Sequence, residues 1–159
     1  MHSVLGVWSL IDWQRIYSDG KRIHPFGEKP VGLLAYMPDG RMMVQMLSRT
    51  RPLIDSQDPE GGPVNDRARA YSTCLAYFGT YKVLDNEVEH YIEASLYPNW
   101  SGKATTRGMA IEGGKLILRT DPSIVDGISV VNEMSWERAG IAKHQACSPT
   151  LTQRKRGDL

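Results

Sequence analysis

Along most of this chain apolar and polar residues alternate with a period of two, and each alternating run stops at a cluster of turn-forming residues. That period sends successive side chains to opposite faces of a strand, so the chain reads as strands almost throughout. Val7–Tyr17 is a long strand that turns at Ser18-Asp19-Gly20-Lys21 into a second at Arg22–Phe26. Leu33–Met37 and Arg41–Leu47 flank Pro38-Asp39-Gly40, and Asp-Gly between apolar runs is a strong hairpin signal. Further strands are predicted at Tyr77–Leu84, Glu87–Tyr97, Ala104–Glu112, Lys115–Thr120 and Ile128–Arg138. About eight to nine strands in sequence with short connections predict an all-β fold, a closed antiparallel up-and-down barrel.

Two stretches break the pattern. Residues 48–63 carry prolines at 52, 59 and 63, the pair Gly61-Gly62 and many charges, which predicts a long surface loop. Val64, Ala68, Tyr71 and Leu75 then fall at helical spacing, with Asn65 and Asp66 available to cap the start. A short amphipathic helix over Val64–Leu75, packed across the barrel, is the expectation. The barrel domain is expected to span residues 1–139. The polar, unpatterned stretch 140–159 is expected to be a flexible tail.

Alternation also assigns faces, and every second side chain of a barrel strand points inward. The inward phase is Val88, His90, Ile92, Ala94 and Leu96 in one strand, Thr105, Arg107, Met109 and Ile111 in the next, and Ile128, Val130, Asn132, Met134 and Trp136 in the last. His90, Arg107 and Asn132 are thus polar groups on apolar faces. An unpaired buried polar group costs about 1–3 kcal/mol, so each needs a partner, which a neighbour, a water or a ligand can supply. The candidate pocket wall adds Tyr36, Met43, Gln45, Tyr77, Tyr81 and Trp100, the last in a Pro98-Asn99-Trp100 loop at the rim. His90, whose free pKa lies nearest neutrality, is the candidate acid, with Asp12 and His24 as alternatives nearer a mouth.

Composition narrows the partners. With 19 Lys+Arg against 18 Asp+Glu the net charge is +1, which argues against nucleic acid or an anionic membrane as partner. No apolar run approaches a membrane span, and Met1–Leu10 lacks the features of a secretory signal, so a cytoplasmic protein is expected. Two cysteines, with Cys74 assigned to the helix, suggest neither a disulfide framework nor a zinc site. No phosphate-cradling or dinucleotide glycine motif occurs, and the four His residues are scattered, so no cofactor and no metal are expected.

The segments Leu5-Gly6-Val7-Trp8-Ser9-Leu10, His24-Pro25-Phe26-Gly27, Gly32 to Gly40, Ala76 to Tyr81, Ser95 to Trp100 and Trp136-Glu137-Arg138 together resemble the lipocalin-like domain family of small intracellular proteins. The resemblance runs in order from Leu5 to about Ala139. It implies a lipocalin-like barrel in which Trp8 packs at the floor with Arg138 against it, both structural. Members similar to this chain occur in natural-product gene clusters, where some such barrels are cyclases or hetero-Diels–Alder catalysts. The resemblance therefore implies a cofactor-independent cyclase or dehydratase acting on a hydrophobic intermediate in secondary-metabolite biosynthesis. On that reading His90, Arg107 and Tyr81 are the catalytic candidates. Tyr36, Met43, Gln45, Tyr77, Trp100, Met109, Asn132 and Met134 would bind substrate. The alternative is a noncatalytic binder or carrier of a hydrophobic small molecule, and a homodimer is compatible with either.

Overall fold

A computed structural model describes residues 3–140. Ten strands are present: β1 (Gly6–Tyr17), β2 (Arg22–Ile23), β3 (Val31–Tyr36), β4 (Arg41–Leu47), β5 (Cys74–Leu84), β6 (Glu87–Ser95), β7 (Lys103–Glu112), β8 (Lys115–Thr120), β9 (Ser123–Val125) and β10 (Ile128–Arg138). One helix, α1 (Val64–Ser72), precedes β5. The sheet runs β2-β1-β3-β4-β5-β6-β7-β8-β10-β9, and β1 also pairs antiparallel with β10. That extra pairing closes eight strands into a barrel and leaves β2 and β9 as short flaps. The expected lipocalin-like architecture is the one observed.

The floor explains why Gly6, Trp8 and Arg138 occur together. Trp8 is 1% exposed and donates from Nε1 to Val4 O at 2.7 Å, and the Arg138 guanidinium lies 4.0 Å from its ring centroid. Arg138 also donates to the backbone carbonyls of Ser3 and Leu5, tying the N-terminal segment beneath the barrel. Gly6 sits where a Cβ would stand 2.7 Å from Arg138 Nη1, and its φ of 113° is open to glycine. The sequence pairing of Gly-x-Trp with a distant Arg is thus one packed unit.

Two β-bulges set the faces. The β1–β10 register slips between Leu10 and Asp12, so Trp8 and Leu10 point inward before the slip and Trp13 and Arg15 after it. The β5–β6 register slips between Phe78 and Gly79, where Phe78 faces Ala94 and Gly79 faces Ile92. Val88, His90 and Ile92 therefore stay inside while Ala94 and Leu96, expected inside, turn to the outer surface. A Cβ on Gly79 would fall 1.9 Å from Tyr91 O and 2.9 Å from Glu93 N, so this close backbone approach requires glycine.

Three other expectations change. α1 ends at Ser72 and buries no residue, and its N-terminus receives no side-chain cap from Asn65 or Asp66. Leu75 and Cys74, expected in the helix, belong to β5. The strand expected over Arg22–Phe26 is only two residues long, because His24 turns aside to Asp12 and Phe26 turns in against Trp13, with ring centroids 4.6 Å apart. The expected tail lies outside the described residues, save Gly140. Among the described residues no helix is long and apolar enough to cross a membrane.

The β5–β6 bulge yields a stability prediction. Gly79→Ala should destabilise the barrel by about 1–3 kcal/mol, read as a lower denaturation midpoint with an unchanged slope, because neither backbone can yield without breaking the ladder.

Candidate functional site

Inside the barrel lies a chamber of about 170 Å³. Its wall is mostly apolar: Leu34, Val44 and Met46 from β3 and β4, Leu75 and Tyr77 from β5, Leu118 from β8, and Met134 and Trp136 from β10. Trp13 and Trp100 stand toward the mouth, the latter on a 3-10 turn at Pro98–Trp100. There the chamber meets a vestibule of about 500 Å³, with Trp100, Arg107, Thr120 and Asn132 on both walls. Lys103, Thr105, Thr106 and Asp121 line the vestibule alone.

The three inward polar groups each have protein partners. His90, 1% exposed, is held at both ring nitrogens: Tyr36 Oη lies 2.7 Å from Nε2 and Tyr77 Oη 2.9 Å from Nδ1. Arg107 donates from Nη1 to Thr105 Oγ1 and, at 3.0 Å, to Thr106 O. Asn132 Oδ1 accepts from Trp13 Nε1 at 3.0 Å and from Arg15 Nε at 3.4 Å. Among the described residues neither Arg15 nor Arg107 stands in an ion pair, and the one carboxylate on the vestibule wall is that of Asp121. Trp136 Nε1 is the buried side-chain polar atom without a hydrogen-bond partner among the described residues.

Burial sets the protonation states. Loss of water around His90 lowers its pKa from the usual 6.5 to about 3, and the nearby Arg107 charge pushes the same way. The imidazole is therefore neutral at physiological pH. Burial likewise holds the Tyr77 hydroxyl above its ordinary range, opposed by Arg107, and the Tyr36 hydroxyl well above it, so both tyrosines keep their protons. The role expected for a protonated His90 does not fit this environment, since the ring is uncharged and both nitrogens are engaged.

The expected site residues thus divide. His90, Tyr77, Trp100, Arg107, Asn132 and Met134 line one chamber. Tyr36 is inside but lies behind His90, packed against the Tyr81 ring at 4.7 Å. Tyr81 does not line the chamber; it donates to Met37 O at 3.0 Å near the opposite end. Met109 points inward yet packs below the chamber, beside Ile111. Met43 and Gln45 lie on the outer face, because Met42, Val44 and Met46 take the inward phase of β4; Met43 is 50% exposed. Asp12 and His24 pair at 2.9 Å away from the chamber wall, with Gln14 Nε2 donating to Asp12. Trp13 and Arg15 were not expected in the site. Their signal is the jump of the aromatic phase from Trp8 to Trp13 across an odd interval, which marks the bulge. No group of three His, Cys, Asp or Glu among the described residues is arranged to hold a metal ion.

A neutral buried imidazole makes stability depend on pH. The unfolded chain takes up a proton near pH 6.5 and the folded chain only near 3, so stability is full above pH 6.5 and falls as the pH drops between those values, by roughly 1 kcal/mol per pH unit. Denaturant titrations at stepped pH should show this loss in the native protein and a shallower one in His90→Gln.

Comparison with known proteins agrees with the architecture. A family model described as a lipocalin-like domain matches residues 5–139. The 4'-hydroxy-3'-methoxypropiophenone carrier protein ppsC of Aspergillus oryzae is 30% identical over 106 residues, covering 61% of this chain and 96% of that protein. The crystal structure of an uncharacterized protein from Bacteroides eggerthii covers 82% of this chain and 98% of its own at 14% identity, with a TM-score of 0.39. The closed eight-stranded barrel, its Trp8–Arg138 floor and the family match over residues 5–139 together make this chain a member of the lipocalin-like domain family.

Proposed function

We propose that this protein binds and carries a neutral, hydrophobic small molecule whose ring occupies the barrel chamber. The observation that carries the reading is the chamber itself, mostly apolar, about 170 Å³ in volume and sharing Trp100, Arg107, Thr120 and Asn132 with a more polar vestibule. An apolar cavity of about 150 Å³ holds a benzene ring, so one six-membered ring fits the chamber and its substituents reach the vestibule. Arg15, Lys103 and Arg107 near the mouth outnumber Asp121 and favour electron-rich oxygens on that outer end. The similarity to a protein named as a carrier of a substituted propiophenone, which is one aromatic ring bearing a short ketone, supports the same class of ligand.

Cofactor-independent cyclisation is the second reading, favoured by the enclosed shape, because holding a substrate in one reactive pose supplies roughly 7–11 kcal/mol. It has less support. His90 offers neither a proton at neutral pH nor an unengaged nitrogen, and Tyr81 lies away from the chamber. Arg107 and Tyr77 are the groups left to steer charge in such a reaction.

Titration with propiophenone, followed through the fluorescence of the chamber tryptophans, should saturate at one ligand per chain, and the ketone should be recovered unchanged by chromatography. Met134→Trp, which fills the chamber, should weaken binding at least tenfold while cooperative unfolding persists. A flat titration in the native protein would contradict the binding reading, and conversion of the recovered molecule would favour catalysis.

A further inference from the structure

The chain Tyr36–His90–Tyr77 holds three donor hydrogens for two hydrogen bonds, and the surplus has a direction. A neutral imidazole donates at one nitrogen and accepts at the other, so one tyrosine donates to His90 and the other receives from it. The receiving tyrosine keeps its own hydroxyl hydrogen, which then needs an acceptor elsewhere. Among the described residues neither hydroxyl has a second acceptor, since Arg107, the other polar group at Tyr77, can only donate.

The two tyrosines are not equivalent. Tyr36 is 1% exposed, packs against Tyr81 and does not line the chamber. Tyr77 lines the chamber beside Trp100 and Arg107. A surplus hydrogen on Tyr36 would be buried and unpaired, whereas one on Tyr77 can meet a bound molecule. The cost of an unpaired buried hydroxyl favours the second arrangement by about tenfold or more. Tyr36 then donates to Nε2, Nδ1–H donates to Tyr77 Oη, and the Tyr77 hydrogen is free. The Arg107 guanidinium, close to Tyr77, reinforces this orientation by attracting the phenolic oxygen's lone pairs and turning the O–H away from itself.

We infer that Tyr77 is the specificity-determining donor of the chamber, oriented by Tyr36 through the Nδ1–H tautomer of His90, and that it selects a ring-bearing ligand with a neutral carbonyl oxygen. This rests on the binding reading above and adds the atom that recognises the ligand. Each member has one task. Tyr36 fixes the tautomer, His90 transmits it and polarises Tyr77, and Tyr77 donates to the carbonyl. The charge on Arg107 strengthens the donor without competing for the ligand oxygen. Trp136 Nε1, also without a partner among the described residues, is the rival donor on the same wall.

The test compares acetophenone with α-methylstyrene, which has the same shape but a methylene in place of the carbonyl oxygen. Native protein should bind the ketone about tenfold more tightly, and Tyr77→Phe should bring that ratio close to one while Trp136→Phe leaves it high. Nitrogen NMR of histidine-labelled native protein should report His90 protonated at Nδ1, and Tyr36→Phe should move population to the Nε2–H form. A ketone preference that survives Tyr77→Phe, or an Nε2–H imidazole in the native protein, would overturn the inference. If neither probe binds, the binding reading fails by itself, and the NMR measurement still decides the orientation of the hydrogen-bond chain. Should Tyr77→Phe fail to fold, the carbonyl stretch of acetophenone bound to native protein decides instead: a shift to lower frequency supports a donor at the oxygen, and an unshifted band rejects it.

Discussion

Pairing between β1 and β10, from Trp8 opposite Arg138 to Tyr17 opposite Val130, turns a sheet with two open edges into a barrel with an interior. Every later feature depends on that closure. It satisfies the hydrogen-bonding groups of the outermost long strands, which would otherwise be exposed templates for aggregation. It also forces each barrel strand to divide its side chains between an outside and an enclosed inside. Trp8, Arg138 and the N-terminal carbonyls seal one end, so the space left inside opens toward Trp13, Trp100 and Arg107.

Within that enclosure, polarity is handled by pairing. His90 is bound at both nitrogens, Asn132 accepts from Trp13 and Arg15, and Arg107 donates to the Thr105 side chain and the Thr106 carbonyl. Pairing lets the chain bury these groups without a ligand, and it also keeps the imidazole uncharged. A neutral chamber wall suits a neutral guest, while the guanidinium charges sit where the chamber meets the vestibule. Architecture and electrostatics thus support the same kind of cargo, although a barrel by itself hosts many functions.

Much of this was legible from the period of the sequence. β4, β8 and β10 begin and end where the apolar alternation does, and the inward phases of β7 and β10 follow from it directly. The chamber residues on those strands, Arg107, Asn132 and Met134, were therefore readable as such. What was not legible is where the period slips. A bulge adds one residue and shifts the phase of all that follow, and the odd Trp8-to-Trp13 interval and Gly79 are its sole marks, so Ala94 and Leu96 changed faces and Trp13 and Arg15 entered the site. Met43 and Gln45 share a strand with inward Met42, Val44 and Met46, and apolar character in both phases hid which of them faced the chamber. The helix is present but ends at Ser72, before Leu75, and Val64 and Tyr71, 69% and 45% exposed, leave its apolar residues largely outside the core. The Tyr36–His90–Tyr77 chain joins three strands and has no local signature, so only the folded register brings it together.

The account stands most directly on the contents of the chamber. A crystal structure grown with propiophenone should show the aromatic ring enclosed between Tyr77, Met134 and Trp136, with its carbonyl oxygen about 3 Å from Tyr77 Oη and its open end toward Arg107. A barrel whose interior is filled by its own side chains, with the ketone absent or bound on the outer face near Met43 and Phe78, would contradict it.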